Sequence, residues 1–238
     1  MYEPRHYRLW TKEKDLVSFN VVVKETDLFI QAKRNLTKKA LELVSKQRIL
    51  LEEYIAHHPG FAASLEPLPV GDDAPHIVRE MAEAAEKAGV GPMAAVAGAI
   101  AEFVGKKLLR FSPEVIVENG GDIFLKSLAS KLVGIYIGKP PYSGKIALRI
   151  EPEETPIGVC TSSGTVGHSL SFGKADAAIV LSPSTSLADA AATAIGNLVT
   201  DDLEQGIEFA RTIEGLNGVA IIKDDKIALW GQIKIVRK

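Results

Sequence analysis

The chain has 238 residues, 46% of them hydrophobic and 24% charged, enough apolar sequence to bury a full core and too much for an intrinsically disordered chain. Its 28 Lys and Arg against 30 Asp and Glu leave a formal net charge of −2, so the broad positive field on which non-specific nucleic-acid binding draws is missing. A single cysteine, Cys160, excludes an intrachain disulfide. The start Tyr2-Glu3-Pro4-Arg5-His6 lacks the layout of a signal peptide, and the most apolar run, Met93 to Ala101, is far shorter than a bilayer span of roughly 20 residues. The expectation is a cytoplasmic protein that binds neither nucleic acid nor membrane.

Strand-like alternation around His6 to Trp10, a charged turn at Lys12 to Asp15 and a second run from Leu16 to Val23 predict a hairpin, and Leu28-Phe29-Ile30 predicts a further strand. Asn35 then opens a long helix, with Leu36, Ala40, Leu43, Val44, Leu51, Tyr54 and Ile55 on its apolar face, ending near His57-His58-Pro59-Gly60. The Pro- and Gly-rich stretch Pro59 to Asp73 is a candidate boundary or mobile flap. A second helix follows from Asp73 and Pro75 to Gly89. A third runs from Pro92 to Arg110, and its small residues, Gly98 and Gly105 among them, predict a buried helix with a closely approaching neighbour.

Beyond Pro113 the period changes to two. Strands are expected at Val115 to Val117, Ile123 to Leu125, Leu132 to Ile137, Ile146 to Ile150, Ile157 to Cys160 and Ala175 to Leu181. Helices follow at Leu187 to Val199 and Leu203 to Ile213, then a closing hairpin of Val219 to Ile222 with Ile227 to Trp230. This order predicts an α+β fold with helices on one face of antiparallel sheets. It forms one domain over 1–238, with two pseudo-repeats dividing near 111 left open as an internal duplication. The apolar strands of the second half are suited to a symmetric interface, which leaves a homo-oligomer open.

The most informative helix carries Asp189, Thr193 and Asn197 at every fourth residue, a narrow polar stripe on an otherwise small and apolar rod. Burying an unpartnered carboxylate costs several kcal/mol, so the stripe is expected to face a cavity or a ligand. A capping box of Ser186 with Asp189 is the structural alternative for Asp189, although it does not account for Thr193 and Asn197.

The segment Thr161-Ser162-Ser163-Gly164-Thr165-Val166-Gly167-His168-Ser169-Leu170-Ser171-Phe172-Gly173-Lys174 is rich in hydroxyls and glycine, with His168 and Lys174 as its positive charges. It suits anions, yet it fails as a P-loop because Ala175 stands where the magnesium-binding hydroxyl would be. A plain solvated turn is the alternative. His168 is placed to act as a general base, whereas His57 and His58 mark a helix end. Asn119-Gly120-Gly121-Asp122 reads as a tight hairpin turn, since both central residues need positive φ, or as a place where backbone approaches a phosphate or cofactor ring with Asp122 ordering it. Cys160, eight residues before His168, raises a nucleophile alternative against plain strand burial. Asn35-Leu36-Thr37 matches a glycosylation acceptor and reads as a helix start.

Three pieces in order resemble the ApbE-like flavin transferase superfamily: Ala97-Gly98-Ala99-Ile100-Ala101-Glu102, Asn119-Gly120-Gly121-Asp122, and Leu187-Ala188-Asp189-Ala190-Ala191-Ala192-Thr193-Ala194. The run from Gly158 to Asn197 is similar to an uncharacterised branch of it. The resemblance implies an ApbE-like, T-fold-like architecture. It also implies FAD or a related flavin as ligand, Mg²⁺ held by Asp189 and Thr193, and His168 as the base in transfer of FMN to a protein hydroxyl. Where the transferases have Gly-Gly-Ile-Ala-Lys-Gly this chain places Glu102 at the lysine, and His168-Ser169-Leu170-Ser171-Phe172 replaces a His-Ile-Ile-Asp-Pro continuation.

The expected site therefore comprises Asn119, Gly120, Gly121, Asp122, Thr161, Ser162, Ser163, Gly164, Ser169, Lys174 and Asn197 around a small phosphorylated flavin- or nucleotide-like ligand, with Lys174 on phosphate. It would support metal-assisted chemistry of a transferase-like or pyrophosphatase-like kind. The alternative is a non-catalytic protein that binds a flavin- or pterin-like molecule, and a Cys160-dependent hydrolase ranks third.

Overall fold

The computed structural model describes residues 15–136, 142, 144–163 and 175–237. Strands β1 (Val17–Val23) and β2 (Thr26–Ala32) pair antiparallel across a two-residue turn at Lys24 and Glu25. Phe19 and Val21 turn inward while Ser18, Asn20 and Val22 stay exposed, the alternation of a half-buried edge strand. The hairpin thus joins β1 to the strand expected around Leu28. The arm expected at His6 to Trp10 lies outside the described residues.

Helix α1 (Thr37–His57) starts where the Asn35 side chain accepts the Thr37 amide at 2.9 Å, and it buries Ala40, Val44, Gln47 and Leu51 at helical spacing. Within Pro59 to Asp73, the stretch expected as a boundary or mobile flap, a short helix α2 (Gly60–Ala63) carries Phe61 into the core, edge-on to Tyr54 at 5.3 Å between centroids. Helix α3 (His76–Ala88) ends on Gly89 at φ +69°, a left-handed residue that closes the last turn. The third expected helix is split into a 3₁₀ turn (Pro92–Ala95) and α4 (Val96–Leu108).

Strands β3 (Val115–Asn119) and β4 (Asp122–Lys126) form a hairpin closed by Gly120 and Gly121, at φ +72° and +112°. The chain leaves for β5 (Lys131–Gly134) and β6 (Ile146–Ile150) and returns through β7 (Ile157–Ser162) and β8 (Ala177–Ser182). Helices α5 (Thr185–Leu198) and α6 (Leu203–Thr212) follow, then β9 (Gly218–Lys223), β10 (Lys226–Gly231) and β11 (Ile235–Arg237). Eight strands lie in the order β1-β2-β3-β4-β7-β8-β9-β10, every pair antiparallel. The order β11-β6-β5 makes a second, three-stranded sheet.

Side-chain alternation divides the large sheet into two faces. Val115, Val117, Phe124, Cys160, Val180 and Ile221 meet the helices, while Leu125, Ile157, Val159, Ile179 and Ile222 meet the small sheet. Because both of its faces are covered, β8 is buried at every residue, so its sequence reads as a continuous apolar run instead of an alternating one. At Gly105 the close neighbour is a side chain of the sheet: a Cβ there would stand 2.1 Å from the Phe124 ring of β4. No single helix among the described residues is long and apolar enough to cross a membrane.

Candidate functional site

Helix α5 is seated by small residues on both sides. A Cβ on Gly98 would lie 2.4 Å from the Thr185 carbonyl oxygen, and one on Gly158 would lie 2.5 Å from the Thr185 Cα. Either would force the helix away, so α4, α5 and β7 meet almost backbone to backbone. The helix begins at Thr185, two residues ahead of the expected start, with Ser184 as N-cap accepting the Leu187 amide at 3.2 Å. This overturns the Ser186–Asp189 capping box: the Asp189 carboxylate instead crosses to α4 and accepts the Gly98 amide at 2.8 Å.

Asp189 is 8% exposed. Burial pushes its carboxyl well above the usual carboxylate range, and the neighbouring Asp122 carboxylate adds to this, against the opposing pull of the Gly98 and Ala97 amides. No cationic side chain among the described residues offsets it. Asp122 is also buried, at the first position of β4, in register with Asn119, whose Nδ2 donates to the Ala97 carbonyl at 3.0 Å. Gly120 and Gly121 hold the turn between them, and the Gly121 amide donates to Glu118 at 2.9 Å.

On β7, Cys160 and Ser162 face α5. Cys160 is fully buried and its Sγ donates to the Thr185 carbonyl at 3.4 Å; burial, then Asp122 and Asp189, push the thiol up. A sealed, protonated thiol is a poor nucleophile, so the Cys160 hydrolase is not supported. Ser162 stands beside α5 at Gly196, with 3.1 Å from its Oγ to a Cβ built there. Thr161 points to the opposite face of the strand, away from the stripe, because successive side chains alternate. Ser163 donates to the Asp176 carbonyl at 2.7 Å. Thr193 and Asn197 are half-buried along the stripe. Gly164, His168, Ser169 and Lys174 lie outside the described residues.

Two residues were missed in the sequence. Thr185 extends the stripe by one turn before Asp189; it is fully buried, and its Oγ1 has no hydrogen-bond partner among the described residues. A four-residue spacing continued backwards would have found it. Glu102 is 4% exposed and accepts the Thr185 and Ser186 amides at 2.7 and 3.1 Å, with Lys106 at 2.6 Å on its other oxygen. It therefore caps α5 in the place where the resemblance has a lysine. A separate surface groove of about 310 Å³ between α3, α4 and the start of α5 is lined by Glu80, Glu83, Lys87, Glu102, Lys106 and Ser184.

This fold is that of the ApbE flavin transferases. The structure of the flavinyl transferase ApbE of Pseudomonas stutzeri, in its apo form, superposes with a TM-score of 0.58 at 12% identity, covering 90% of this chain and 94% of that one. The ApbE protein of Thermotoga maritima matches at 0.53 and 12%, over 92% and 96%. The chain belongs to the family described as AbpE bacteria, whose model matches residues 8–215. A UPF0280 protein of Methanocaldococcus jannaschii is 41% identical over 94% of this chain and 92% of its own length. A second, from Methanocella arvoryzae, is 43% identical over 90% and 89%.

Proposed function

We propose that the protein binds a small phosphorylated ligand of the flavin class, together with a hard divalent cation, at the seam between the β3–β4 turn, the first turn of α4 and the stripe of α5. The observation that carries this reading is the burial of Asp189 beside Asp122 without a cationic side chain among the described residues to neutralise it. Two nearby carboxyls in a dry place favour either a shared proton or a cation.

The donors fit Mg²⁺ in kind. Asp189 and Thr193, one helical turn apart, offer carboxylate and hydroxyl oxygens, and the Thr185 hydroxyl, without a partner among the described residues, marks a further polar position beside them. Bound there, Mg²⁺ would neutralise phosphate charge and polarise a phosphoryl group. Asn119 and Asp122 order the turn, whose glycines leave the backbone free to approach the ligand, Ser162 and Ser163 continue that wall, and Gly164 is assigned to ligand binding with them. Thr161 contributes backbone only. His168 serves as the base that takes a proton from an attacking hydroxyl, Ser169 and Lys174 hold phosphate, and Asn197 closes the far end of the stripe.

A second reading, binding without transfer, is favoured by one observation. Glu102 spends one oxygen on capping α5 and the other on Lys106, so the position that carries a lysine in the transferases offers no cation to a ligand. FAD fluorescence titration with and without Mg²⁺ tests the shared core of both readings: wild type binds and Asp189→Ala loses the Mg²⁺ dependence. Equal binding by both proteins refutes the site. Turnover that disappears in His168→Ala with affinity kept selects the enzyme, and affinity without any turnover selects the binder.

A further inference from the structure

Helices α4 and α5 exchange caps. Asp189 of α5 accepts the Gly98 amide in the first turn of α4, and Glu102 of α4 accepts the Thr185 and Ser186 amides in the first turn of α5. Each donor is an N–H that its own helix cannot satisfy, and each carboxylate lies at the positive end of the partner's dipole. The pairs 98 with 189 and 102 with 185 run in opposite directions, so the two bridges define the register of an antiparallel helix pair. Gly98 permits that register by leaving room for the Thr185 carbonyl.

We infer that Glu102 is the positioning residue of the site: by holding the first amides of α5 it fixes where Asp189 stands against Gly98 and Asp122. The inference rests on the cation reading above for its functional consequence, but its geometric content is independent of any ligand. Lys106 is a lesser partner. Its ammonium is largely exposed, with a side-chain exposure of 56%, so the ion pair adds little beyond orienting the carboxylate. The two backbone amides, buried and directional, carry the constraint.

The experiment uses the full chain and two readouts. The first is the Gly98 amide proton, followed by chemical shift and hydrogen exchange, with the amides of β1 and β2 as remote controls. Glu102→Ala is expected to speed Gly98 exchange about tenfold relative to those controls and to weaken Mn²⁺ affinity, measured with the metal alone, by about tenfold, the range typical of residues that orient a metal ligand. Glu102→Gln, which keeps one acceptor oxygen for the amides, restores both to within about threefold. Lys106→Ala stays close to wild type. If Glu102→Ala does not fold, Glu102→Asp, shorter by one methylene, replaces it with an expected change of about threefold.

A Gly98 amide that behaves as in wild type in the folded Ala or Asp variant, with only global stability lowered, overturns the proposal. Absence of Mn²⁺ binding by the wild type refutes the cation reading instead, while the Gly98 amide still decides the role of Glu102.

Discussion

The β3–β4 hairpin carries a buried acid at each end, and the two ends are treated in opposite ways. At the open end Glu114 is burdened by desolvation, but Lys33 at 2.7 Å, the Leu128 amide at 3.0 Å and the Ser127 hydroxyl at 2.7 Å outweigh it and hold its carboxyl down to about 2. At the closed end Asp122 and Asp189 crowd together, and Asp189 is pushed up. Both acids expose little surface, with Asp189 set deeper among protein atoms than Glu114, so depth and partners together set the two apart. The partners differ in whether they compensate the charge, as they do for Glu114, or leave that to a ligand or a proton.

The largest effect is expected at the compensated end. Glu114→Ala removes an acceptor that ties the end of β2 to both strands of the hairpin and leaves the Leu128 amide and the Ser127 hydroxyl without it, a loss of about 3 kcal/mol in urea unfolding at pH 7. The pH dependence has a definite sign. The folded carboxyl titrates near 2 against an ordinary value of 4.5, so between these values the folded state binds fewer protons than the unfolded chain. Its stabilisation is complete above about pH 4.5 and disappears as pH falls toward 2, and Glu114→Ala should flatten that part of the acid-unfolding curve. A variant that keeps the wild-type acid slope would show that Glu114 does not set the acid stability of the fold.

A smaller effect is expected at the turn of the closed end. Gly121 sits at φ +112°, a conformation that L side chains rarely adopt, and Gly121→Val should cost about 2 kcal/mol. By contrast, the exposed turns at Lys24 and Asp224 reach φ +52° and +54° with ordinary side chains, within the left-handed region that such residues tolerate. If Gly121→Val unfolds at the wild-type urea midpoint, the turn is not under the constraint that its dihedral angle indicates.

The sequence disclosed most of this fold because the helices and strands carry their periods openly. The stripe of Asp189, Thr193 and Asn197 and the turn at Asn119 to Asp122 were legible for the same reason. What stayed hidden was long-range. Nothing in the neighbourhood of Ser186 and Asp189 tells that the Asp189 acceptor is spent on Gly98, 91 residues away, so a local capping box was a reasonable competing reading. Glu102 looked like a departure from a pattern, and only the packing of α4 on α5 shows that it caps a helix. Of the second sheet, β5 and β6 were expected and only its edge strand was missed, because β11 is three residues long, too short for a period of two to show. Pro59 to Asp73 looked like a linker by composition, although one aromatic side chain, Phe61, anchors it.

The smallest effect has the opposite sign, which makes it the sharpest test of the contrast between the two ends. Asp189→Asn keeps an oxygen for the Gly98 amide and removes the charge that burial and Asp122 oppose. In the absence of added cation the variant should therefore be more stable than wild type by about 1 kcal/mol at pH 7. The folded carboxyl holds its proton to higher pH than the unfolded chain, whose ordinary value is 3.8. Its contribution is thus present at low pH and is lost as pH rises through the folded value, the mirror image of Glu114. Wild type and variant should accordingly converge in acid and separate toward neutrality, measured by urea midpoints across the range. Millimolar Mg²⁺ should close the gap by stabilising wild type alone. A variant less stable than wild type at pH 7 without cation would show that Asp189 is a compensated structural acid like Glu114, and the two ends of the hairpin would then be alike.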